Sequence, residues 1–505
     1  MSNKPTQGSE SEAALDPELN RAPGRIQSVY LMGIGGVAMG ALAGALARRG
    51  LAVRGSDLPL YPPMSTFLQE LAIPVAQGYD PANLEPVPDL VIVGNVIRRE
   101  NPEVARLARL GIPYLSLPQA LAHFFIRDRV SIVVAGTHGK TTTTGLIASG
   151  LMATGRDPGF MVGGILAREG ENFREGKGRH FVVEGDEYDT AFFDKRPKFV
   201  HYRARIGILT SCEFDHADIY ADFAAVTRAF AGFIAGLPPQ GVLIAWTDSP
   251  QVRELAQGAP CPVLGYGQGR DCAWRLLEAT PHPRGGARLR VGMPEGRELE
   301  IHSPLPGRHN ALNTVAACAA LCAAGLEPEE AARVQAGFGG MRRRQEVRGR
   351  AGGVVVVDDF AHHPTAVRET VAALARFGLA GWVPPGRGGG GRLVAVFEPR
   401  TNTSRRGFFQ QDYATAFAGA DRVFLREPPG VEDIPPEERF SSRRLARELA
   451  ARGIPATAYP DTDTLLEALA QELRTGDLCL IMSNGGFDQI HQRLLKRLEQ
   501  REARA

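Results

Sequence analysis

This sequence lacks a surplus of charge of either sign. Its 58 Lys and Arg stand against 56 Asp and Glu, a formal net charge of +2. Basic runs such as Arg342, Arg343 and Arg344 are short and isolated, so no electrostatic footprint for nucleic acid is present. Cysteine is scarce as well, with six residues in 505. Cys318 and Cys322 stand four apart, but no other Cys or His lies near enough in sequence to complete a metal set. That usage excludes a disulfide scaffold and fits a reduced, cytoplasmic protein. A membrane span is also missing. The charge-free stretch 28–47 contains Gly33, Gly35, Gly36, Gly40 and Gly44, and reads as a short strand followed by a close-packed helix. No repeat of fixed period occurs. Lysine is much rarer than arginine, which makes Lys140 conspicuous.

What is present fits a large α/β enzyme: 44% apolar residues, 58 glycines and 36 prolines, in a chain long enough for three domains. Residues 1–24 are polar and aperiodic and read as a disordered tail. In 25–129, strands at 28–32, 51–55 and 90–93 alternate with helices near 37–49, 64–71 and 101–110, the spacing of a Rossmann-like βαβ domain. A central domain at 130–349 has strands at 131–135, 180–184, 205–210 and 242–245. Its helices fall at 140–153, 220–236 and 309–324, and turn-rich segments from 261 to 303 suggest a small antiparallel annex. A second Rossmann-like domain, 350–505, begins with strand 354–357 and continues through 393–397, 422–425 and 478–482. The Gly/Pro-rich piece 382–392 reads as a surface insert.

Three groups of residues point to phosphate chemistry. In the first, the apolar run 132–135 turns through Gly136, Thr137, His138 and Gly139 into Lys140, Thr141 and Thr142. A strand, a glycine turn and a polar helix start leave backbone N–H groups free to cradle oxygen atoms. Lys140 can then neutralise the β/γ region of a triphosphate, and the Thr141 hydroxyl can complete a magnesium shell. In the second, Gly33, Gly35 and Gly36 follow the first strand and permit phosphate to approach a helix N-terminus. Asp57, after the next strand, is placed to meet a ribose or uracil edge. In the third, carboxylates crowd strand ends at Glu184, Asp186, Glu187 and Asp189, with Asp215 and His216 further on, and crowding of this kind calls for a cation. Glu187 and His216 are the expected ligands of a second magnesium. Nearer the domain junctions, His309 and Asn310 open a helix as nucleotide-binding candidates and the Asn310 amide can read an adenine edge, Arg343 can offset triphosphate charge, and Asp359 can accept from a ribose hydroxyl.

Taken in order, Gly-Ile-Gly-Gly at 33–36, Gly-Ser-Asp at 55–57, the 136–141 loop, Gly-Arg-His-Asn at 307–310 and Asp-Asp-Phe-Ala-His-His-Pro at 358–364 resemble the Mur ligase family of peptidoglycan enzymes. The resemblance spans nearly the whole chain. It implies that the first domain binds UDP-N-acetylmuramate, the central one ATP with Mg2+, and the third an incoming peptide. Glu-Gly-Asp-Glu-Tyr-Asp-Thr-Ala-Phe-Phe-Asp-Lys at 184–195, Phe-Glu-Pro-Arg-Thr-Asn-Thr at 397–403 and Met-Ser-Asn-Gly-Gly-Phe at 482–487 look most like members that take the murein tripeptide L-alanyl-γ-D-glutamyl-meso-diaminopimelate. Members that add L-alanine are the near alternative. Arg400 or Arg405 would then pair with a peptide carboxylate. Helix 222–234 contains no lysine, so the carbamylated, metal-bridging lysine of other branches is not expected. The implied activity is ATP-driven amide formation through an acyl phosphate, with Lys140, Glu187, His216 and Arg343 as its catalytic residues, in a monomer or weak homo-oligomer. An NAD-dependent oxidoreductase built on the 33–36 loop would leave the 136–141 loop without a role.

Overall fold

The computed structural model describes residues 14–62, 64–214, 220, 222–283, 285–379 and 391–503. His216, the start of the expected tail and most of the expected 382–392 insert lie outside them. The chain divides into two compact units. One comprises the residues up to 129 together with 173–176 and 188–203; the other comprises 130–172, 177–187 and 204 onward.

In the first unit a five-stranded parallel sheet runs in the order Val75–Gln77, Ala52–Asp57, Ser28–Met32, Leu90–Val93, Tyr114–Ser116. The order reverses at Ser28–Met32, so the loop leaving this strand sits at the switch point where such sheets open a crevice. Helix Val37–Arg48 follows that loop. Its glycines let the helix Met64–Glu70 approach closely: a Cβ on Gly40 would lie 2.3 Å from Met64 Cε, and one on Gly44 2.8 Å from Phe67. Residues 14–24 of the tail expected to be disordered are ordered. Asp16 caps the turn Pro17–Leu19, Leu15 and Leu19 pack on the core, and the Asn20 amide donates to Tyr114 O at 3.0 Å. Two leucines four residues apart anchor a segment whose composition is otherwise polar. The hairpin Asp189–Ala191 and Asp194–Pro197 also joins this unit, although it falls within the expected central domain. Phe193 stacks edge-on against Tyr114 at 4.9 Å, and Phe192 packs beside it.

The second unit contains two sheets. The larger runs Glu298–Ser303, Ala287–Gly292, Trp274–Pro281, Val263–Gly267, Val242–Trp246, Ile206–Leu209, Val130–Ala135, His180–Gly185, Gly159–Met161. All neighbours are parallel except at the Trp274–Glu298 end, where two antiparallel pairings form the expected annex, continuous with the parallel strands. Strands such as Val130–Ala135 and Ile206–Leu209 are apolar without alternation because both faces of the sheet are covered. Helices Lys140–Ala153 and Arg308–Ala323 pack against each other and lack a polar stripe. Their Ala, Gly and Thr residues let both be buried nearly all round.

The smaller sheet runs Glu346–Ala351, Val354–Asp359, Leu478–Met482, Leu393–Phe397, Arg422–Arg426, Ala456–Tyr459, with only the first pair antiparallel. Glu346–Ala351 crosses the boundary expected at 349. Its Gly and Arg residues look like a linker in sequence, but its backbone pairs with Val354–Asp359. Among the described residues no helix is long and apolar enough to cross a membrane.

Candidate active site

The 136–141 loop leaves the C-terminal end of Val130–Ala135 and enters helix Lys140–Ala153. Gly136 has φ +131, and a Cβ there would meet Thr210 Oγ1 at 2.2 Å. Gly139, at φ +81, caps the helix without a side-chain acceptor, so the first-turn N–H groups are left for a ligand. The loop is fixed from outside. His138 N donates to Ser211 Oγ at 2.7 Å, Thr210 Oγ1 donates to His138 O, and Thr137 Oγ1 accepts from Glu213 N at 2.9 Å.

Lys140 is buried. Its ammonium donates to Gly136 O at 2.6 Å and pairs with Glu187 Oε2 at 2.8 Å. Burial works against its charge, but the carboxylates of Glu187, Asp186 and Glu184 outweigh burial and hold it above its ordinary range. Thr141 has a different carboxylate partner from Lys140. Its hydroxyl donates to Glu184 Oε1 at 2.9 Å, and Gly163 N donates to Glu184 Oε2 at 2.8 Å. Burial and the neighbouring Asp186 push the Glu184 carboxyl up. A hydroxyl beside crowded carboxylates is a hard-oxygen donor set that fits Mg2+, since a dication would relieve the repulsion that raises Glu184. Thr142 is buried in the first helical turn.

The arginines also differ from expectation. Arg344, not Arg343, reaches the loop, with Nη2 at 3.4 Å from Thr141 Oγ1. Burial and Arg343 pull its guanidinium down, and Asp359 and Glu184 oppose them. Arg343 turns to the third domain and donates through Nη2 to Ser483 O and Gly485 O, both at 2.7 Å. Three identical side chains in a row give no sequence signal of which one faces the phosphates. The positive φ of Arg343 (60°) and Gln345 (52°) decides it by turning alternate residues.

Asn310 is committed internally: Nδ2 donates to Pro306 O at 2.9 Å and Gln345 Oε1 at 3.1 Å. Its Oδ1 accepts from Asn313 at 3.3 Å. Asn313, which sequence reasoning missed, presses on the loop, since a Cβ on Gly139 would lie 2.6 Å from its Oδ1. The i, i+3 spacing of the two asparagines on one helix was the available signal. His309 is partly open, and burial with the nearby Arg308 and Arg344 cations pulls its imidazole down to about 4. Asp359 is buried and accepts from Gln345 N and Ala361 N, each at 2.8 Å. Burial raises its carboxyl while Arg344 and those N–H groups lower it.

One more cluster ties the loop to the third domain. His138 Nε2 lies 3.4 Å from Glu213 Oε2, Thr365 Oγ1 donates to the same carboxylate at 2.9 Å, and the His138 and His363 rings are 4.9 Å apart. Burial alone would raise Glu213, but His138, Thr365 and His363 outweigh it and bring its carboxyl to about 2. The three side chains offer ligand atoms within 4.8 Å of one another. His363 Nδ1 accepts the Thr365 N–H at 3.3 Å, so one of its ring nitrogens is already engaged within the protein.

In the first unit, Gly33 (φ +78) and Ile34 donate to Ser56 O at 2.9 and 3.1 Å, and Gly36 caps helix Val37–Arg48. Asp57 already has work inside the protein. Oδ2 accepts from Gly35 N at 2.7 Å, and Oδ1 accepts from Leu58 N and the Tyr79 hydroxyl. A Cβ on Gly35 would lie 2.1 Å from Leu60 Cδ2.

Comparison with known proteins matches residues 28–129 to the Mur ligase family catalytic domain, 134–321 to the Mur ligase middle domain and 343–485 to the Mur ligase glutamate ligase domain. UDP-N-acetylmuramate--L-alanyl-gamma-D-glutamyl-meso-2,6-diaminoheptandioate ligase of Escherichia coli (strain K12) is 41% identical over 92% of this chain and 97% of its own. UDP-N-acetylmuramate--L-alanine ligase of Rubrobacter xylanophilus is 35% identical over 93% of this chain and 100% of its own. Among solved structures, a murein peptide ligase from Psychrobacter arcticus 273-4 superposes with a TM-score of 0.67 at 32% identity, covering 94% of this chain and 99% of that one.

Proposed function

The chain belongs to the Mur ligase family, and from that membership we propose that it joins UDP-N-acetylmuramate to L-alanyl-γ-D-glutamyl-meso-diaminopimelate at the expense of ATP. The observation that carries the reading is the near-full-length likeness to the Escherichia coli tripeptide ligase, which exceeds that to the alanine-adding relative.

The lactyl carboxylate of the sugar attacks the γ-phosphorus of ATP, ADP leaves, and an acyl phosphate forms. The α-amine of the peptide then attacks the acyl carbon. The resulting tetrahedral oxyanion collapses with cleavage of the carbon–oxygen bond to phosphate, giving the amide. Lys140 has three N–H donors, of which Gly136 O and Glu187 take two, so one remains for a phosphate oxygen. With the N–H groups of the first helical turn and the Arg344 guanidinium, it offsets charge that grows on the transferring group. Thr141 and Glu184 would hold Mg2+, which when bound supplies Lewis-acid neutralisation of the phosphates. An α-amine titrates near pH 8 (about 7.7–8.0), so loss of its proton near neutrality needs only a modest base.

The decisive experiment offers ATP, Mg2+ and UDP-N-acetylmuramate with tripeptide in one tube and L-alanine in another, and weighs the products by mass spectrometry. We expect the UDP-sugar tripeptide, with ADP and phosphate released in step. Product from L-alanine in equal or greater amount would overturn the substrate assignment.

A further inference from the structure

Arg343 holds the loop that follows the strand Leu478–Met482. Ser483 and Gly485 both offer their carbonyls to its Nη2, while its Nε sits 3.5 Å from Asp358 and its guanidinium lies 5.2 Å from the centre of the Phe360 ring. The loop is tied from below as well. Ser483 Oγ donates to the fully buried Glu398 at 2.6 Å and accepts from Gly485 N at 2.9 Å. Beyond it, Phe487, Asp488 and Gln489 take φ of 44°, 47° and 57°, three consecutive non-glycine residues in the left-handed region. Such a run persists only where its surroundings over-determine it.

The loop in turn supports Arg400. A Cβ on Gly485 would fall 2.2 Å from Arg400 Cδ and 2.4 Å from its Nε, so the arginine stem lies flat on the glycine. The Arg400 side chain is 44% exposed and its guanidinium reaches Glu398 only at 3.6 Å, while that carboxylate already serves Arg426 and Ser483. Between the two carbonyls held by Arg343, Asn484 Oδ1 is buried with no hydrogen-bond partner among the described residues. An underused cation resting on a loop that holds an unsatisfied acceptor suits a ligand that carries both a carboxylate and an N–H or ammonium group.

We propose that Arg343 is a positioning residue for the peptide substrate: by suspending Ser483 and Gly485 from the segment joining the two sheets, it fixes the Asn484 amide and the bed on which Arg400 meets an amino-carboxylate end. The proposal rests on the reading above that the third domain takes the peptide. It assigns Arg343 a role other than the triphosphate contact expected from sequence.

The test measures KM and kcat of the full-length enzyme for tripeptide and for ATP in the wild type, Arg343→Ala, Arg343→Lys and Gly485→Ala. Loss of a charge-assisted pair of hydrogen bonds predicts a rise of about tenfold in tripeptide KM for Arg343→Ala, with ATP KM within about twofold. Arg343→Lys, a point charge able to serve only one carbonyl well, falls between. Gly485→Ala keeps Arg343 but displaces Arg400, and reproduces the tripeptide effect even where Arg343→Ala does not fold. An unchanged tripeptide KM in Gly485→Ala, or an ATP KM that rises as much as the tripeptide KM in the Arg343 variants, overturns the proposal. A wild type that makes no tripeptide product overturns the substrate reading instead, so the two failures are told apart.

Discussion

The loops at 33–36 and 136–141 have the same skeleton and opposite contents. Each leaves the end of a parallel strand, passes through a glycine at positive φ and enters a helix capped by a second glycine that offers no side-chain acceptor. In the first, no charged residue lies within the turn, and the protein's own Asp57 and Ser56 take up the N–H groups of Gly33, Ile34 and Gly35. In the second, a buried lysine is balanced against Glu187, Asp186 and Glu184. Glycine spacing therefore specifies the turn, and the groups around it determine whether its N–H donors are taken up by the protein or left for a ligand.

Lys140→Ala breaks that comparison most severely. Removing the cation leaves Glu187 buried and unpaired and should lower product formation by about 10³-fold or more, as quantified by ADP release. UDP-N-acetylmuramate binding, measured by calorimetry, should stay unchanged, and a parallel loss there would erase the distinction between the loops. Gly35→Ala attacks the other loop. Its Cβ would collide with Leu60 and crowd Asp57, so UDP-sugar KM should rise about tenfold while ATP KM holds. An equal rise in both would mean that the two loops do not act separately. The smallest effect concerns the surroundings of the second loop. His309, held near 4 when folded against about 6.5 unfolded, binds its proton more readily in the unfolded chain. Its contribution to stability is therefore full above about pH 6.5 and lost as pH falls toward 4. His309→Gln should flatten that part of the denaturation profile, and an NMR titration should place the imidazole midpoint near 4. A midpoint near 6.5 would refute the assignment.

Long parallel strands and the helices between them were legible in the sequence because continuous apolar runs such as Val-Val-Val-Val at 354–357 leave few alternatives. Short strands, among them Val75–Gln77 and Gly159–Met161, were not, since three residues carry no period. The phosphate loop was equally plain from its glycines and lysine. Partner choice within it was hidden. Glu184 and Glu187 are both acidic residues at one strand end, and only the geometry assigns one to Thr141 and the other to Lys140. The same holds for Arg343 and Arg344, and for Asn310, which looked ligand-facing and proved to be held by Pro306 and Gln345.

Arg343 and Arg344 are covalent neighbours that serve opposite clients, and this adjacency has a thermodynamic corollary. A rotation of the single peptide plane between their α-carbons would displace the backbone that carries both guanidinium groups. Where both ligands order that plane, occupancy at the carbonyl-held loop and occupancy at the glycine turn are coupled. By linkage, whatever one ligand contributes to ordering that peptide plane it returns in equal measure to the affinity of the other.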